Sequence, residues 1–442
     1  MLYLSIDIGT SSVKLAVLDA ERVELAAASE PYPYIMSPGS KVEMDPERVL
    51  AAMAAAAARL DPDLRQGVDC VCYDTYSPSL VLMDRSGNLV YPNIITHMDR
   101  RSRAQSERIR RVLGEDRFLQ ITGLAPFVGG CGLINLLWIQ DNSPDCLARV
   151  RQVGHLAGFI HHQMTGEWVT DLVNASMLGA YRTTDQGGWS HEVLEAFDLK
   201  ADWFGPIGLP GAELGRLTRA MADRLGLRQG LAVAIGTNDM AAAQVGAGNW
   251  VGGRIMETSG SSDMVSILTD VPKPDPSYYL RNSAFPGTWQ IYGTTAGGFA
   301  LDWFHQQFAR EMSAEEFFGP YLDSVLRDQA APGAVGFEPY LTGDRQSLTQ
   351  KTGSWHGLTL AASREDMLAA MIRSGARALA KIIAKAGELV ELDSTIRVSG
   401  GLTSQALLEF KAREFGPFAF QRVDNCSVKG NVRLAQMVAG LI

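Results

Sequence analysis

The chain has 442 residues, 46% of them hydrophobic and 20% charged, a composition typical of a globular protein with two or three domains. Its 40 basic and 49 acidic side chains give a formal net charge of −9, and no basic run is present. These values argue against nucleic-acid binding, because a phosphate backbone requires a basic footprint. No stretch approaches the roughly 18 consecutive apolar residues of a membrane span, and the N-terminus lacks the layout of a signal peptide.

The five cysteines are odd in number and scattered along the chain. Such a set favours a reducing compartment over a disulfide framework, so we expect a cytoplasmic protein. Cys70 and Cys72 lie in an apolar, strand-like run and lack the spacing of a metal site. We interpret them as core residues.

The predicted elements alternate between short strands and longer helices. The chain opens with a strand at 2–6, a turn that begins at Gly9 and a second strand at 13–18. Four more strands are expected at 68–73, 80–84, 231–235 and 395–399. Helical patterns occupy 46–60, 102–113, 363–386 and 405–415. Strands mixed with long helices indicate an α/β fold.

A short internal match links the two halves of the sequence. The segment DIGTSSV at 7–13 aligns with TSGSSDM at 258–264, and each lies between two strand-like segments. A duplicated domain that contributes one turn from each half would explain the match. Chance would explain it as well, since short Gly/Ser turns are common.

The two turns have the composition of phosphate-binding loops. Segments 9–12 and 260–262 would expose backbone N–H groups and hydroxyls, an arrangement that suits phosphate oxygens. One turn from each half could hold a polyphosphate between them. Asp7 ends the first strand, where a carboxylate can hold Mg²⁺ directly or through water. The alternative for each turn is an ordinary hairpin.

A segment of small residues, GTNDMAAAQVGAG at 236–248, follows the strand at 231–235. Thr237 or Asn238 is a suitable N-cap for a helix that begins near Asp239. A carboxylate at this strand end could accept a proton from a hydroxyl nucleophile. The alternative role for Asp239 is to complement the helix dipole, which does not explain the small residues that follow.

These segments occur in the order found in a known family. Over nearly its whole length the sequence resembles the FGGY carbohydrate kinases of the actin-like ATPase superfamily. The resemblance includes xylulokinase-like members, and it rests on ten motifs: DIGTSSVK at 7–14, VEMDP at 42–46, DRR at 99–101, LLW at 136–138, LVNAS at 172–176, the segment 236–248, GSS at 260–262, GG at 297–298, PYLTGDR at 339–345 and SGG at 399–401.

The resemblance implies an α/β fold of two ribonuclease-H-like (actin-like ATPase) domains with the active site in the cleft between them. It also supports the duplication. We assign residues 1–235 to an N-terminal domain that binds substrate and phosphate. Residues 236–442 form the C-terminal, nucleotide-binding domain of this assignment.

The resemblance also implies roles for individual residues. Asp239 matches the catalytic base of the family, and Asp7 matches its Mg²⁺-associated aspartate. The groups expected around ATP are Gly9, Thr10, Ser11, Lys14, Gly260, Ser261, Ser262, Gly297, Gly298, Gly400, Gly401 and Ser404. The groups expected to contact the sugar are Tyr76, Ser77, His97, Asp99, Arg101, Asn238 and Asp239.

Two departures from the family pattern concern the sugar site. Xylulokinase-like members carry Gln-x-His-Gly where this chain has YSPS at 76–79, so the histidine of that motif is absent. His97 replaces a tryptophan expected two residues before Asp99; its imidazole either hydrogen-bonds a sugar hydroxyl or is half-buried beside the strand end. Asp99 and Arg101 are suited to polyol hydroxyls, with a surface ion pair as the alternative.

We therefore expect a cytoplasmic, ATP- and Mg²⁺-dependent kinase for a small open-chain sugar, with a ketopentose such as xylulose or ribulose as the first candidate. Another ketose, a sugar acid or a polyol such as glycerol or erythritol is the near alternative. A non-catalytic sugar sensor or nucleotide switch is the other hypothesis, although the presence of both Asp7 and Asp239 argues against it. The expected partner is a small sugar or polyol, without nucleic acid or membrane, and the resemblance leaves a homodimer undecided.

Overall fold

A computed structural model describes residues 1–329, 333–341 and 351–441 of the chain. Two mixed sheets, one in each half of the sequence, form its framework, and helices pack against both. Within those ranges, none of the helices has the length and apolar character needed to cross a membrane. Residues 342–345, the end of the predicted PYLTGDR motif, lie outside the described residues.

The first half contains fourteen strands and ten α-helices among the residues that the structure describes. Its strands are β1 (Tyr3–Ile8), β2 (Ser12–Leu18), β3 (Glu24–Pro31), β4 (Ile35–Ser37), β5 (Lys41–Met44), β6 (Cys70–Thr75), β7 (Ser79–Met83), β8 (Ile94–Thr96), β9 (Gln152–Gly154), β10 (Thr170–Asp171), β11 (Ile207–Gly208), β12 (Glu213–Arg216), β13 (Ala232–Ala234) and β14 (Thr237–Asn238). Its helices are α1 (Pro46–Ala58), α2 (Pro62–Gln66), α3 (Arg103–Val112), α4 (Glu115–Thr122), α5 (Gly132–Asn142), α6 (Pro144–Arg149), α7 (Leu156–Thr165), α8 (Leu172–Leu178), α9 (His191–Ala196) and α10 (Arg219–Leu225).

The second half has fewer strands and longer helices. Its strands are β15 (Ile255–Ser259), β16 (Asp263–Thr269), β17 (Tyr279–Asn282), β18 (Trp289–Thr295), β19 (Gly336–Glu338), β20 (Ser354–His356), β21 (Thr395–Ser399) and β22 (Ala419–Arg422). Its helices are α11 (Asp239–Gly246), α12 (Gly297–Phe308), α13 (Ala314–Glu316), α14 (Leu322–Asp328), α15 (Arg364–Gly387), α16 (Gln405–Phe415) and α17 (Cys426–Val438).

The four predicted helices form within two residues of their expected bounds, and a side-chain cap marks the start of α1, α15 and α16. Asp45 caps α1 through the N–H of Glu47, and a proline occupies the first turn. Ser363 and Asp366 form a reciprocal capping box at the start of α15. Helix caps of this kind involve residues that are close in the sequence, so they can be predicted from the sequence.

The first sheet runs in the order β12-β13-β6-β1-β2-β3, and β14 also pairs with β6. Strand β1 is antiparallel to β2 and parallel to β6, and its register sets Asp7 directly beside Asp74. Strand β14 is also parallel to β6 and sets Thr237 on the other side of Asp74. The carboxyl ends of three strands therefore meet at one edge of the sheet.

The second sheet repeats this pattern in the order β17-β18-β16-β15-β21-β22. Strand β15 is antiparallel to β16 and parallel to β21, as β1 is to β2 and β6. A further antiparallel strand follows in each case, β3 beside β2 and β18 beside β16. The internal sequence match thus corresponds to two hairpins with the same topology.

The C-terminal helix α17 returns to the first sheet. Val428, Val432 and Ala435 of this helix pack against four sheet residues, Tyr3, Ala16, Leu18 and Cys72. The ranges assigned from the sequence, 1–235 and 236–442, separate the two sheets, but β14 and α17 of the second range contact the first sheet. We call the first sheet and the helices packed on it the first lobe. This lobe therefore contains residues from both ends of the chain.

Candidate active site

A cavity of about 270 Å³ lies where the two turns face each other. It is lined by Thr10 and Ser11 of the first turn and by all three residues of the second turn, Gly260, Ser261 and Ser262. Five of the predicted sugar contacts also line it: Tyr76, Ser77, His97, Asn238 and Asp239. Residues separated by more than two hundred positions in the sequence thus surround one space.

Asp239 lies at the first position of α11, on the wall of this cavity. Asn238 caps the helix through the N–H of Met240 and donates its own side-chain N–H to Asp239 Oδ1 at 2.8 Å. The N–H of Met240 donates to the same oxygen at 2.7 Å. Burial raises the pKa of the Asp239 carboxyl to about 7, and the negative charge of Asp7 adds to the rise. The carboxylate is fixed, faces the cavity and titrates near neutral pH.

A buried hydrogen-bond chain holds the neighbouring segments in place. Ser77 donates its hydroxyl to Asn174 Oδ1 at 2.5 Å, and Asn174 donates in turn to Asp171 Oδ2 at 2.5 Å. Thr237 donates to the other oxygen of Asp171 at 3.1 Å. Asp171 also caps α8, so it connects the YSPS loop, α8 and β14. The LVNAS motif of α8 was among the family motifs found in the sequence, but no role was predicted for Asp171.

Tyr76 and His97 form a polar aromatic part of the cavity wall. Their rings pack edge to face with centroids 5.8 Å apart. The Tyr76 side chain is buried, and among the described residues its hydroxyl has no hydrogen-bond partner. A phenol in this position can donate to a ligand oxygen and accept from a ligand hydroxyl.

Asp99 and Arg101, which the sequence predicts as sugar contacts, lie in a buried ion cluster. Arg101 contacts both Asp99 and Glu43 at 2.6 Å, and the Arg101 and Asp99 side chains are only 2% and 0% exposed. Asp99 also accepts from the N–H of Val42 at 2.7 Å, and the guanidinium of Arg101 lies over the ring of Trp138. The pair is a buried ion cluster that joins the loop after β8 to β5, and it does not line the described cavity. The alternative, a surface ion pair, is correct as to the pairing but not as to the surface, because both side chains are buried. The sugar contact stays a prediction.

Asp74, which no sequence motif singled out, is fully buried beside Asp7. Asn431 of α17 donates to Asp74 Oδ2 at 2.5 Å. Burial raises the pKa of both carboxyls, and the charge of Asp7 raises that of Asp74 further. Two adjacent carboxyls in this environment favour a shared proton on Asp74. Asp74 follows the apolar run CVCY of β6, the strand that lies parallel to the strand of Asp7. A carboxylate at the end of an apolar strand was the signal that could have identified it.

Lys14 and Gly400 line a neighbouring cavity of about 290 Å³, together with Asp7. Lys14 Nζ contacts Glu24 at 3.0 Å and Asn425 Oδ1 at 2.8 Å. Gly400 has φ +114°, and a Cβ atom there would lie 2.1 Å from the carbonyl oxygen of Ser259. This second cavity is therefore the one that carries the predicted metal carboxylate.

The second turn is held by close packing and by a buried ion cluster. Gly298 donates its N–H to the carbonyl of Gly260 at 2.9 Å, and Gly297 adopts a φ of +46° against the turn. Beneath the turn, Lys411 Nζ contacts Glu257 at 2.5 Å and Asp263 at 2.9 Å. The sequence predicted the glycines but not Lys411, because helix α16 reads locally as an ordinary amphipathic helix.

The residues predicted for the nucleotide lie in different surroundings. Gly297 lines an apolar cavity of about 40 Å³ with Leu301, Met371 and Leu407. Ser404, in contrast, caps α16 and donates its hydroxyl to Asp323 at 2.6 Å. Ser404 therefore stabilises the start of α16, and its contact with the nucleotide stays a prediction. Gly401 follows Gly400 in the turn after β21, with open space around its Cα.

The profile of the N-terminal domain of the FGGY family of carbohydrate kinases matches residues 2–246, more than half of the chain. The chain belongs to the FGGY family. Its activity class is that of a sugar phosphotransferase, as the sequence predicted.

Individual FGGY kinases are similar to this chain at modest identity. A xylulose kinase from Staphylococcus epidermidis is 26% identical over 424 residues, covering 93% of this chain and 82% of that protein. A gluconokinase from Bacillus subtilis is 25% identical over 383 residues, covering 84% and 74%. The crystal structure of a ligand-bound xylulose kinase from Lactobacillus acidophilus superposes with a TM-score of 0.88 at 20% identity, covering 100% of this chain and 90% of that one. This likeness confirms the predicted two-domain, actin-like ATPase fold.

Proposed function

We propose that the chain transfers the γ-phosphoryl group of ATP to a hydroxyl of a small open-chain sugar bound at Asp239. The observation that carries the proposal is the shared cavity: Asp239 and both phosphate-type turns line the same space. A nucleophile held at Asp239 would therefore face a phosphoryl group held between the turns.

Asp239 would orient the attacking hydroxyl and accept its proton. The sugar oxygen forms a bond to the γ-phosphorus, the bond to the β–γ bridging oxygen breaks, and ADP leaves. Such a reaction demands chiefly positioning and charge stabilisation. The backbone N–H groups and hydroxyls of residues 9–12 and 260–262 would supply donors to the phosphate oxygens.

The carboxyl pair Asp7 and Asp74 fits the Mg²⁺ ion expected with ATP. Mg²⁺ prefers oxygen ligands and is commonly held by one or two carboxylates together with phosphates and waters. When bound, the ion would offset negative charge on the phosphate oxygens.

The acceptor and the compartment belong to the proposal as well. A ketopentose is supported by the names of xylulose kinase relatives, and a sugar acid by the gluconokinase relative. The cytoplasm is supported by the five cysteines, each of which is a free thiol.

The test is a coupled ADP-release assay with Mg·ATP and a panel of ketopentoses, ketohexoses, sugar acids and polyols. We expect one acceptor to stimulate ADP release strongly in the wild type. Asp239→Asn should lower kcat by at least about 10²-fold, because the variant cannot take up the hydroxyl proton.

The matched control is Asp198→Asn. This exposed aspartate has φ +52°, a conformation that asparagine also accepts, and it lies outside the cavity. It should retain wild-type kcat. If Asp239→Asn remains active, the chain is still a kinase but Asp239 is not its base. If the wild type binds an acceptor without any ADP release, the sensor hypothesis is favoured.

A further inference from the structure

Arg281 is a buried cation in the wall of the Asp239 cavity. It lies on β17, and the residue is 7% exposed. Its guanidinium carbon lies 4.1 Å from the centroid of the Tyr292 ring and 5.3 Å from that of Tyr279. The aromatic rings hold the planar group in place, since guanidinium stacks well on aromatic faces.

Arg281 differs from other buried cations of this chain in lacking an acidic partner among the described residues. Arg101 contacts Asp99 and Glu43, and Lys411 contacts Glu257 and Asp263. The side chain of Arg281 has neither an ion pair nor a hydrogen bond to the described residues, and its Nε atom is buried without a partner. A buried charge is costly unless a counter-charge or hydrogen-bond acceptors satisfy it.

The cavity itself offers little to satisfy this charge. The positive charge of Arg281 lowers the pKa of Asp239, so the two groups are within electrostatic reach, but they form no ion pair within 4.0 Å. Asp239 also has its proposed task at the attacking hydroxyl. The guanidinium of Arg281, and its Nε–H in particular, therefore has donors for which a bound ligand can supply the acceptor.

We infer that Arg281 binds a carboxylate of the acceptor, which makes a sugar acid of the aldonate type the substrate class of this kinase. The inference rests on the proposed function, because it concerns the same site. A carboxylate matches the planar fork of a guanidinium with two parallel hydrogen bonds, whereas a neutral ketose offers single hydroxyl acceptors. The ATP phosphates have their own donors in the two turns.

The experiment compares acceptors that differ only at C1. D-xylonate is paired with xylitol, D-gluconate with D-glucitol, and D-xylulose represents the ketopentoses. We expect the wild type to show a kcat/KM for the preferred acid at least about 10²-fold above that for its alcohol. Arg281→Met should remove most of this preference by raising KM for the acid, while Arg281→Lys retains the charge and recovers part of it.

Arg433→Met is the matched control. Arg433 also places its guanidinium over an aromatic ring, that of Trp250 at 4.7 Å, but outside the cavity. It should leave the acid-to-alcohol ratio unchanged. The thermal midpoint of each variant shows whether it is folded, and Arg281→Lys supplies the comparison if Arg281→Met is not.

Several results would overturn the inference. A preference for D-xylulose or an alcohol that Arg281→Met leaves unchanged would refute it and retain the kinase. An equal fall of kcat for acids and neutral acceptors would assign Arg281 to the transferring phosphoryl group instead. If no acceptor stimulates ADP release, the proposed function fails, and calorimetric titration of D-gluconate against D-glucitol then decides the inference: tighter binding of D-gluconate that Arg281→Met abolishes supports it, and equal binding refutes it.

Discussion

The carboxyl group of Asp239 has surroundings that favour proton transfer near neutral pH. It is desolvated, lies near the charge of Asp7 and still accepts two hydrogen bonds, from Asn238 and from the N–H of Met240. Desolvation and like charge raise its pKa, and the donors limit the rise to about 7. A base with this pKa is about half deprotonated at pH 7, and it is strong enough to take a hydroxyl proton as the bond to phosphorus forms.

This pKa predicts the pH dependence of the reaction. Below about pH 7 the Asp239 carboxyl holds a proton and cannot act as the base, so kcat/KM should rise with pH and level off above it. Initial rates of ADP release between about pH 5.5 and 8.5 measure the profile, with acceptors whose own groups do not titrate in this range. The residual activity of Asp239→Asn should lose this rising limb; a limb that remains would assign the titration to another group.

The position of Asp239 depends on how α11 meets α17. The two helices cross at small residues: a Cβ atom at Gly430 would lie 1.8 Å from the carbonyl oxygen of Ala242, and one at Gly246 would lie 1.9 Å from that of Cys426. Backbone therefore contacts backbone at the crossing, which only glycine permits. Because α11 begins with Asp239, any change in this helix separation moves the candidate base.

Gly430→Ala tests this coupling. The added methyl group should force the helices apart, which we expect to lower the free energy of unfolding by about 1–3 kcal/mol and to lower kcat. Urea denaturation and the ADP-release assay measure the two effects. Gly375→Ala in α15 is the control for stability, since its Cβ would meet its nearest neighbour, Thr295 Oγ1, at an ordinary 3.6 Å.

The control should gain up to about 1 kcal/mol, because alanine favours a helix over glycine. If Gly430→Ala is as stable as Gly375→Ala and as active as the wild type, the crossing does not position Asp239.

The two ends of the chain meet in the first lobe. Helix α17 covers one face of the first sheet, where Val428 and Val432 pack against Tyr3, Leu18 and Cys72. Asn431 adds a buried hydrogen bond to Asp74. The N-terminal segment alone therefore lacks part of its own core.

A chain that ends at Asn425 should lose the cooperative unfolding of the first lobe, because an apolar sheet face and Asp74 lose their cover. Hydrogen–deuterium exchange should be faster in β1 and β6 than in the full chain. A chain that ends at Ala439 retains α17 and serves as the control. Equal protection of β1 and β6 in both truncated chains would show that the first lobe folds without α17.

The elements and the principal motifs were predictable because their signals are local. Caps and periodicity defined α1, α15 and α16, and a Gly/Ser turn between two apolar strands defined each hairpin. The ordered motifs indicated the FGGY family and drew attention to Asp7 and Asp239. The substitution of YSPS at 76–79 was visible in the same way.

The remaining features depend on contacts between distant residues. Asp74 acquires significance because β1 and β6 align it with Asp7 and because Asn431, at the far end of the chain, donates to it. Asp99 and Arg101 proved to be a buried ion cluster because Glu43 reaches them from another strand. In the sequence YLRN, Arg281 has the pattern of an exposed charged residue on a strand. Only the folded structure shows that its side chain is buried in the Asp239 cavity and that its Nε has no partner among the described residues. Local patterns carry propensity and motif, whereas burial and pairing of charge are properties of the packed molecule.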